Sequence, residues 1–185
     1  MGRPSDFTAI CVYATIAQEE SISIAHNLRM GCAARMKLGT YKQVNAPYGY
    51  YIENDEFKIN EEQAQVVRVI FRAYIEEKSI YKIAEELNQA GVPNKFGELA
   101  WTMKTISRIL SNVRYKGDAL FQKSYTDGFP YKAKKNRGEK DKYYKYNANV
   151  PIVSREEFDK AERLLSKRGS LYYSGKKRRH IHSHI

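Results

Sequence analysis

Lys104 and Arg108 stand four residues apart in a stretch, Thr102 to Lys116, that contains no carboxylate. On a helix that step puts both cations on one face, with Ser107 and Ser111 beside them. An ammonium, a guanidinium and hydroxyls together make a donor surface suited to a polyanion, and the guanidinium fork can grip two acceptors at once. An ordinary solvated helix can carry the same face, so the reading needs support from the rest of the chain. Other chemistry-bearing residues form no constellation. The histidines are His26 and an alternating set, His180, His182 and His184. A metal site needs fixed geometry and usually mixed ligands, so neither a metal nor a cofactor is expected. No Gly-rich phosphate loop and no paired cysteines occur, and Glu19 and Glu20 read as solvated carboxylates on a helix flank.

The charge supplies the support. Thirty-two Lys and Arg against twenty-one Asp and Glu leave a formal +11, with a pI near 9.5. Such a bias favours nucleic acid first and an acidic membrane surface second. It is unevenly spread. Residues 53–78 are acidic on balance; residues 21–42 carry Arg29, Arg35, Lys37 and Lys42 with no acid. From Lys123 to Tyr146, eight basic residues meet three acids and six aromatics, and the end carries Lys176-Lys177-Arg178-Arg179. A chain of 185 residues, 42% hydrophobic, can bury a core of one domain plus an appendage. No apolar run approaches ~18 residues and no signal-peptide order opens the chain. Cys11 and Cys32 fall at opposite ends of one predicted helix, too far apart to bridge, which fits a reducing cytoplasm.

The pattern predicts the elements that hold these residues. A long helix runs from Asp6 to Lys37, capped by Ser5 or Asp6 and stopped by Gly39. At 1.5 Å per residue it reaches about 48 Å. Its first half is apolar, including Phe7, Ile10, Tyr13, Ala14 and Ala17, and its second half turns basic. A hairpin follows, with Tyr50 to Ile52 and Phe57 to Ile59 about the turn Glu53-Asn54-Asp55-Glu56. Asn60 caps a helix over 61–77, with Gln63 at the reciprocal capping-box position. Ser79 caps a helix with Ile80, Ile83, Ala84 and Leu87 inward, ending at Gly91. After a loop and Trp101, Thr102 caps a second helix, to Val113, with Ile106, Ile109, Leu110 and Val113 inward. Two matched amphipathic helices, the second basic outside, suggest a helix-turn-helix with a long connection. A strand over 118–125, a basic-aromatic excursion to Tyr146 and a returning strand over 149–153 come next. Ser154 and Glu157 form a second capping box for a helix over 155–167, and a mobile tail is expected from Gly169.

The ordered motifs resemble a known family. Pro47-Tyr48-Gly49-Tyr50, then Ile59-Asn60-Glu61-Glu62-Gln63-Ala64 with Val67 and Ile70-Phe71, is similar to the opening of the recombinase domain of large serine recombinases. Ile83-Ala84-Glu85-Glu86-Leu87-Asn88, Gly91-Val92-Pro93, Trp101, Ile109-Leu110-Ser111-Asn112 and Tyr115-Lys116-Gly117 continue it in register, and Val150-Pro151-Ile152-Val153-Ser154 resembles its closing segment. Ile16-Ala17-Gln18-Glu19-Glu20-Ser21 is similar to the long helix that joins the family's catalytic domain to its DNA-binding domain. The series covers roughly residues 9 to 168.

The resemblance implies a mostly α fold with a small β component. It divides the chain into a connector helix (1–38), a linker (39–46), a recombinase-type DNA-binding domain (47–168) and a basic flexible tail (169–185). It implies sequence-specific binding of double-stranded DNA, as part of a site-specific recombinase acting on a mobile element. The family's serine nucleophile matches no serine of this sequence, so strand cleavage by these residues alone is not expected. The expected DNA contacts are Arg29, Arg35, Lys37 and Lys42 on the backbone or minor groove. In and after the second paired helix they are Thr102, Lys104, Thr105, Ser107, Arg108, Ser111, Arg114 and Lys116. The apolar half of the long helix invites a homodimer, and no membrane partner is expected. Two other classes remain open at this point: a free-standing helix-turn-helix regulator, and an RNA-binding or structural basic protein.

Overall fold

A proline opens the first helix. In the computed structural model, which describes residues 4–42, 44–127 and 132–181, α1 spans Pro4–Lys37. Pro4 brings a pre-set φ to the first turn and sacrifices no intrahelical bond there. Ser5 and Asp6 therefore lie inside the helix, and neither is its cap. Gly31 is carried without a break, and Gly39, at φ +69°, ends the helix. The amides of Thr40 and Tyr41 close back on the Arg35 carbonyl at 2.9 and 3.1 Å.

The chain forms two compact units: residues 1–42 with 121–143, and residues 43–120 with 144–185. In the first, α1 is accompanied by a hairpin of β4 (Ser124–Asp127) and β5 (Lys132–Lys135), paired antiparallel with Ser124 opposite Lys135. The basic-aromatic excursion is thus partly a ladder. Asn136 organises its far side. Its buried amide donates to the carbonyls of Gln122 (2.9 Å) and Lys140 (2.7 Å) and accepts from the amides of Gly138 and Lys140.

The second unit is built on α2 (Glu61–Ile75). Its stripe of Ala64, Val67, Ile70, Phe71 and Tyr74 is buried. It packs against α3 (Ile80–Gln89), α4 (Met103–Leu110) and the start of α5 (Arg155–Ile181). A hairpin of β1 (Tyr50–Glu53) and β2 (Glu56–Ile59) precedes α2, with Glu53 opposite Glu56. Asn54 and Asp55 both take positive φ at its tip, as a two-residue turn matched to strand twist requires. Phe71, Tyr115 and Phe158 form an aromatic centre with ring centroids about 6 Å apart. The Tyr115 hydroxyl reaches the Tyr48 carbonyl at 2.8 Å.

Several local expectations change. Gln63 does not close a capping box on Asn60. Asn60 Oδ1 accepts from the Gln63 amide, while Gln63 Oε1 takes the Gly49 amide at 2.9 Å. The Asn60 amide is already given to the Gly49 carbonyl, so Gln63 serves the donor still in need. Gly49 itself has no alternative: φ is +91°, and a Cβ there would sit 2.8 Å from Ile152 Cδ1. Helix α4 stops at Leu110, and Val113–Lys116 form a separate 3-10 turn capped by Asn112, whose side chain accepts from the Arg114 amide. That break swings Tyr115 into the core.

The strand expected over 118–125 splits into β3 (Ala119–Phe121) and β4 at Gln122, which has φ +57°. β3 pairs with β6 (Tyr143–Lys145), not with residues 149–153. The latter contain Pro151, which cannot donate to a ladder. They run irregularly instead, with the Ile152 and Val153 amides on the Tyr115 carbonyl. The Ser154–Glu157 box forms in both directions at 3.1 Å. α5 continues in its backbone to Ile181, past the end expected at Lys167; Gly169 and Gly175 each cost a helix about 1 kcal/mol, too little to stop it. Residues 182–185, part of the expected tail, lie outside the described residues.

Candidate nucleic-acid interface

Three side chains hold α4 in place before any of its outward residues is considered. Ile106, Ile109 and Leu110 are buried against the α2 and α3 stripes. Thr102 caps the helix, accepting from the Thr105 amide at 3.2 Å. Trp101, just before the cap, is almost wholly buried. Its indole N–H donates to the Val92 carbonyl at 2.8 Å, and its ring meets Tyr48 edge-on at 5.1 Å. Asn88, at the end of α3, grips the Trp101 backbone twice: Nδ2 to its carbonyl (3.0 Å) and Oδ1 from its amide (2.8 Å). The helix-turn-helix reading therefore has a physical basis here. The long connection is tied to both helices through one tryptophan.

The face left outward is cationic and hydroxylic. Thr102, Lys104, Arg108 and Ser111 are exposed, and Thr105 and Ser107 half-buried. Neither Lys104 nor Arg108 makes an ion pair among the described residues. The hydroxyls are partly occupied: Thr102 and Thr105 lie 3.0 Å apart, and Ser111 Oγ turns back to the Ser107 carbonyl at 2.8 Å. Both cations thus keep their donors for an external acceptor, whereas Ser111 offers chiefly lone pairs. This face can bind an anion lattice, and Arg108 can present a fork to a base edge.

Arg114 and Lys116 do not join it. Arg114 is buried; its guanidinium lies 4.6 Å over the Phe57 ring and donates to Asn149 Oδ1 at 3.2 Å. Burial pushes its guanidinium below the ordinary pKa. Lys116 pairs with Asp159 at 2.9 Å and covers the Phe158 ring at 4.7 Å. Both are structural cations, turned inward by the 3-10 turn that replaced the expected last turn of helix.

The other expected contacts belong to the first unit. Arg29, Arg35, Lys37 and Lys42 are all exposed. A guanidinium nitrogen of Arg35 lies 3.4 Å from Cys32 Sγ. Arg29 and Arg35, six residues apart, leave the helix on different sides. Arg29 borders a groove of about 560 Å³ lined also by Met30, Cys32, Met36, Tyr125 and Lys140. Lys132, Lys134 and Lys135 add an exposed basic hairpin strand. Cys11 and Cys32 are both thiols, and no helix among the described residues is long and apolar enough to cross a membrane.

The sequence missed the residues that hold this frame: Asn88, Asn136, Asn149 and Asp118. Asn149 Nδ2 lies 3.0 Å from the Arg114 carbonyl, and the buried Asp118 receives Arg155, Tyr144 and the Asn147 amide. Each acts across many residues of chain, and polar side chains in loops carry no periodic signal. Only their asparagine and aspartate identity beside turns hinted at a local bond.

Known proteins are similar to this chain. The family model described as Recombinase matches residues 61–168. A protein of Bacillus subtilis (strain 168) named "Putative DNA recombinase" is 32% identical over 177 residues, covering 86% of this chain and 35% of that protein. The chain thus spans about a third of that relative's length. Two solved structures share the fold, each with a TM-score of 0.54 and 77% of this chain covered. One, from "Crystal Structure of a LSR-DNA Complex", is 23% identical over 38% of its own chain. The other, from "Sequence Requirements of the Listeria innocua prophage attP site", is 21% identical over 52%. With more than half of its length matched by the family model, the chain belongs to the Recombinase family, as its likeness to the large serine recombinases implies.

Proposed function

We propose that this chain binds double-stranded DNA in a sequence-specific way, as the DNA-positioning part of a site-specific serine recombinase acting on a mobile element. The observation that carries the reading is the α4 face. Lys104 and Arg108 lie outward without an ion-pair partner among the described residues, on a helix fixed by three buried apolar residues and one buried tryptophan. A rigid cationic helix face of this width suits the major groove. Thr102, Thr105, Ser107 and Ser111 complete the contact set; Arg114 and Lys116 support it from behind. Titrating the chain with a duplex bearing the parent element's ends, against random duplex at fixed salt, tests the reading. Equal affinity for the two overturns it.

Arg108→Ala weakens specific binding by about 1–3 kcal/mol and random binding by much less, because only the specific complex uses a bidentate base contact. The two fluorescence-anisotropy titrations measure that difference directly, and a uniform loss makes Arg108 a phosphate contact.

Arg29, Arg35, Lys37 and Lys42 contact the phosphate backbone or the minor groove in this reading. Each neutralised phosphate contact adds about 0.9 to the slope of log affinity against log salt. The Arg35→Ala, Lys37→Ala double variant accordingly lowers that slope by roughly 1.8. An unchanged slope removes the helix end from the interface.

The apolar half of α1 supplies a homodimer seam. Phe7, Ile10 and Tyr13 are exposed by 65% or more, and with Ala14 and Ala17 they recur at the three- and four-residue steps that helix pairing uses. Sedimentation equilibrium shows mass rising with concentration, and Ile10→Glu with Tyr13→Glu returns it to monomer. A constant monomer mass for the unmodified chain defeats the seam.

A further inference from the structure

The Phe96 side chain is 81% exposed. A lone exposed phenylalanine needs no explanation. This one is mounted on a fixed turn. Asn94 Oδ1 accepts from the amides of Phe96 (2.8 Å) and Glu98 (3.2 Å), the Asn94 amide donates to the Glu98 carbonyl (2.8 Å), and the Gly97 amide to the Asn94 carbonyl (3.0 Å). Gly97 takes φ +80° with open space around it. Lys95, next to Phe96, is tethered through Nζ to the Ala46 carbonyl at 2.6 Å. The foot of the loop is closed by the Trp101 indole on Val92 and by the Tyr48 hydroxyl on the Pro93 carbonyl at 3.1 Å. The chain passes from that turn through exposed Leu99 to Thr102, the cap of the cationic helix. The one carboxylate of the loop, Glu98, faces the Asn94 amide group at 3.4 Å.

We propose that Phe96 is a specificity-determining residue: its ring contacts a thymine 5-methyl group in the major groove, at the edge of the segment read by α4. This rests on the DNA-binding reading given above. The chemistry is that of an apolar ring against the one apolar group a base pair shows in that groove. The turn holds the ring in place before binding, so little conformational freedom is lost when it seats. A polar or charged residue at this tip would serve a phosphate; a phenylalanine has no donor to offer one.

The test begins with selection of duplexes by the full chain from a random pool. Failure to enrich any duplex is a failure of the DNA-binding reading, not of this proposal. On the enriched duplex, Phe96→Ala weakens binding roughly tenfold, with an unchanged circular-dichroism spectrum and melting curve. Each thymine is then replaced in turn by deoxyuridine, which removes only the methyl. One position costs the unmodified chain about fourfold and costs Phe96→Ala nothing. The proposal is overturned if Phe96→Ala binds like the unmodified chain. It is also overturned if no deoxyuridine position loses its effect in that variant, an outcome that includes a ring wedged between base steps.

Discussion

Trp101→Ala lowers the stability of the second unit by about 3–5 kcal/mol, the cost of emptying a large buried aromatic site. It also abolishes discrimination between specific and random duplex. The indole fills the space between α3, the loop and Tyr48, and its N–H is the donor for the Val92 carbonyl. Removing it leaves a cavity and an unpartnered acceptor together. It also frees the start of α4, so Lys104 and Arg108 lose their fixed aim. Urea unfolding gives the first effect. Trp101→Phe separates the two parts: the ring volume is largely kept, the hydrogen bond is lost, and the expected cost falls to about 1–2 kcal/mol. A Trp101→Ala protein that unfolds within 1 kcal/mol of the unmodified chain contradicts this account of the loop.

Asp118→Ala costs less, about 1–3 kcal/mol, by a different route. The carboxylate is buried and accepts from both guanidinium nitrogens of Arg155 (2.8 and 2.7 Å), from the Tyr144 hydroxyl (2.6 Å) and from the Asn147 amide (3.1 Å). Alanine removes the buried acceptor that these donors share, while Arg155, half exposed, keeps water and Asn147 Oδ1. Burial alone would raise the Asp118 carboxyl, but the Arg155 bond, the Tyr144 bond and the Asn147 amide outweigh it and hold the group down at about 2. The sign follows. The unfolded chain takes up the proton more readily than the folded one, so this contribution is present above the ordinary carboxyl value of 3.8 and is lost as pH falls through about 2. Unfolding free energies measured from pH 2 to 5 rise with pH in the unmodified chain. Asp118→Asn removes that group's share of the slope. Equal slopes in the two proteins would show that Asp118 is not held as an ion pair in solution.

Both variants bear on what reads in a sequence and what does not. The apolar spacing of Ile80, Ile83, Ala84 and Leu87, and of Ile106, Ile109 and Leu110, foretold α3 and α4, because a helix can bury a stripe only at that period. Asn60, Ser79 and Thr102 were legible as caps for the same local reason: each accepts from an amide three residues on. Asn54-Asp55 announced the β1–β2 turn. The α4 cations were legible too, since the i, i+4 step fixes their common face.

Arg114 and Lys116 were not. The resemblance placed them with the cations of α4, yet the backbone turns at Ser111-Asn112 and carries them inward over Phe57 and Phe158. Nothing within a few residues of either cation specifies that; the rings lie far away in the chain. The same holds for Gln63, drawn to Gly49, and for residues 149–153, whose amides are taken by Tyr115. The succession of α2, α3 and α4, their caps at Asn60, Ser79 and Thr102 and the common outward face of Lys104 and Arg108 were thus determined by the sequence alone, because they depend on contacts within one or two turns of chain. That Arg114 and Lys116 turn inward, where α4 ends and which strand meets β3 were decided by the tertiary structure, because buried polar groups must find partners wherever the packed core brings them.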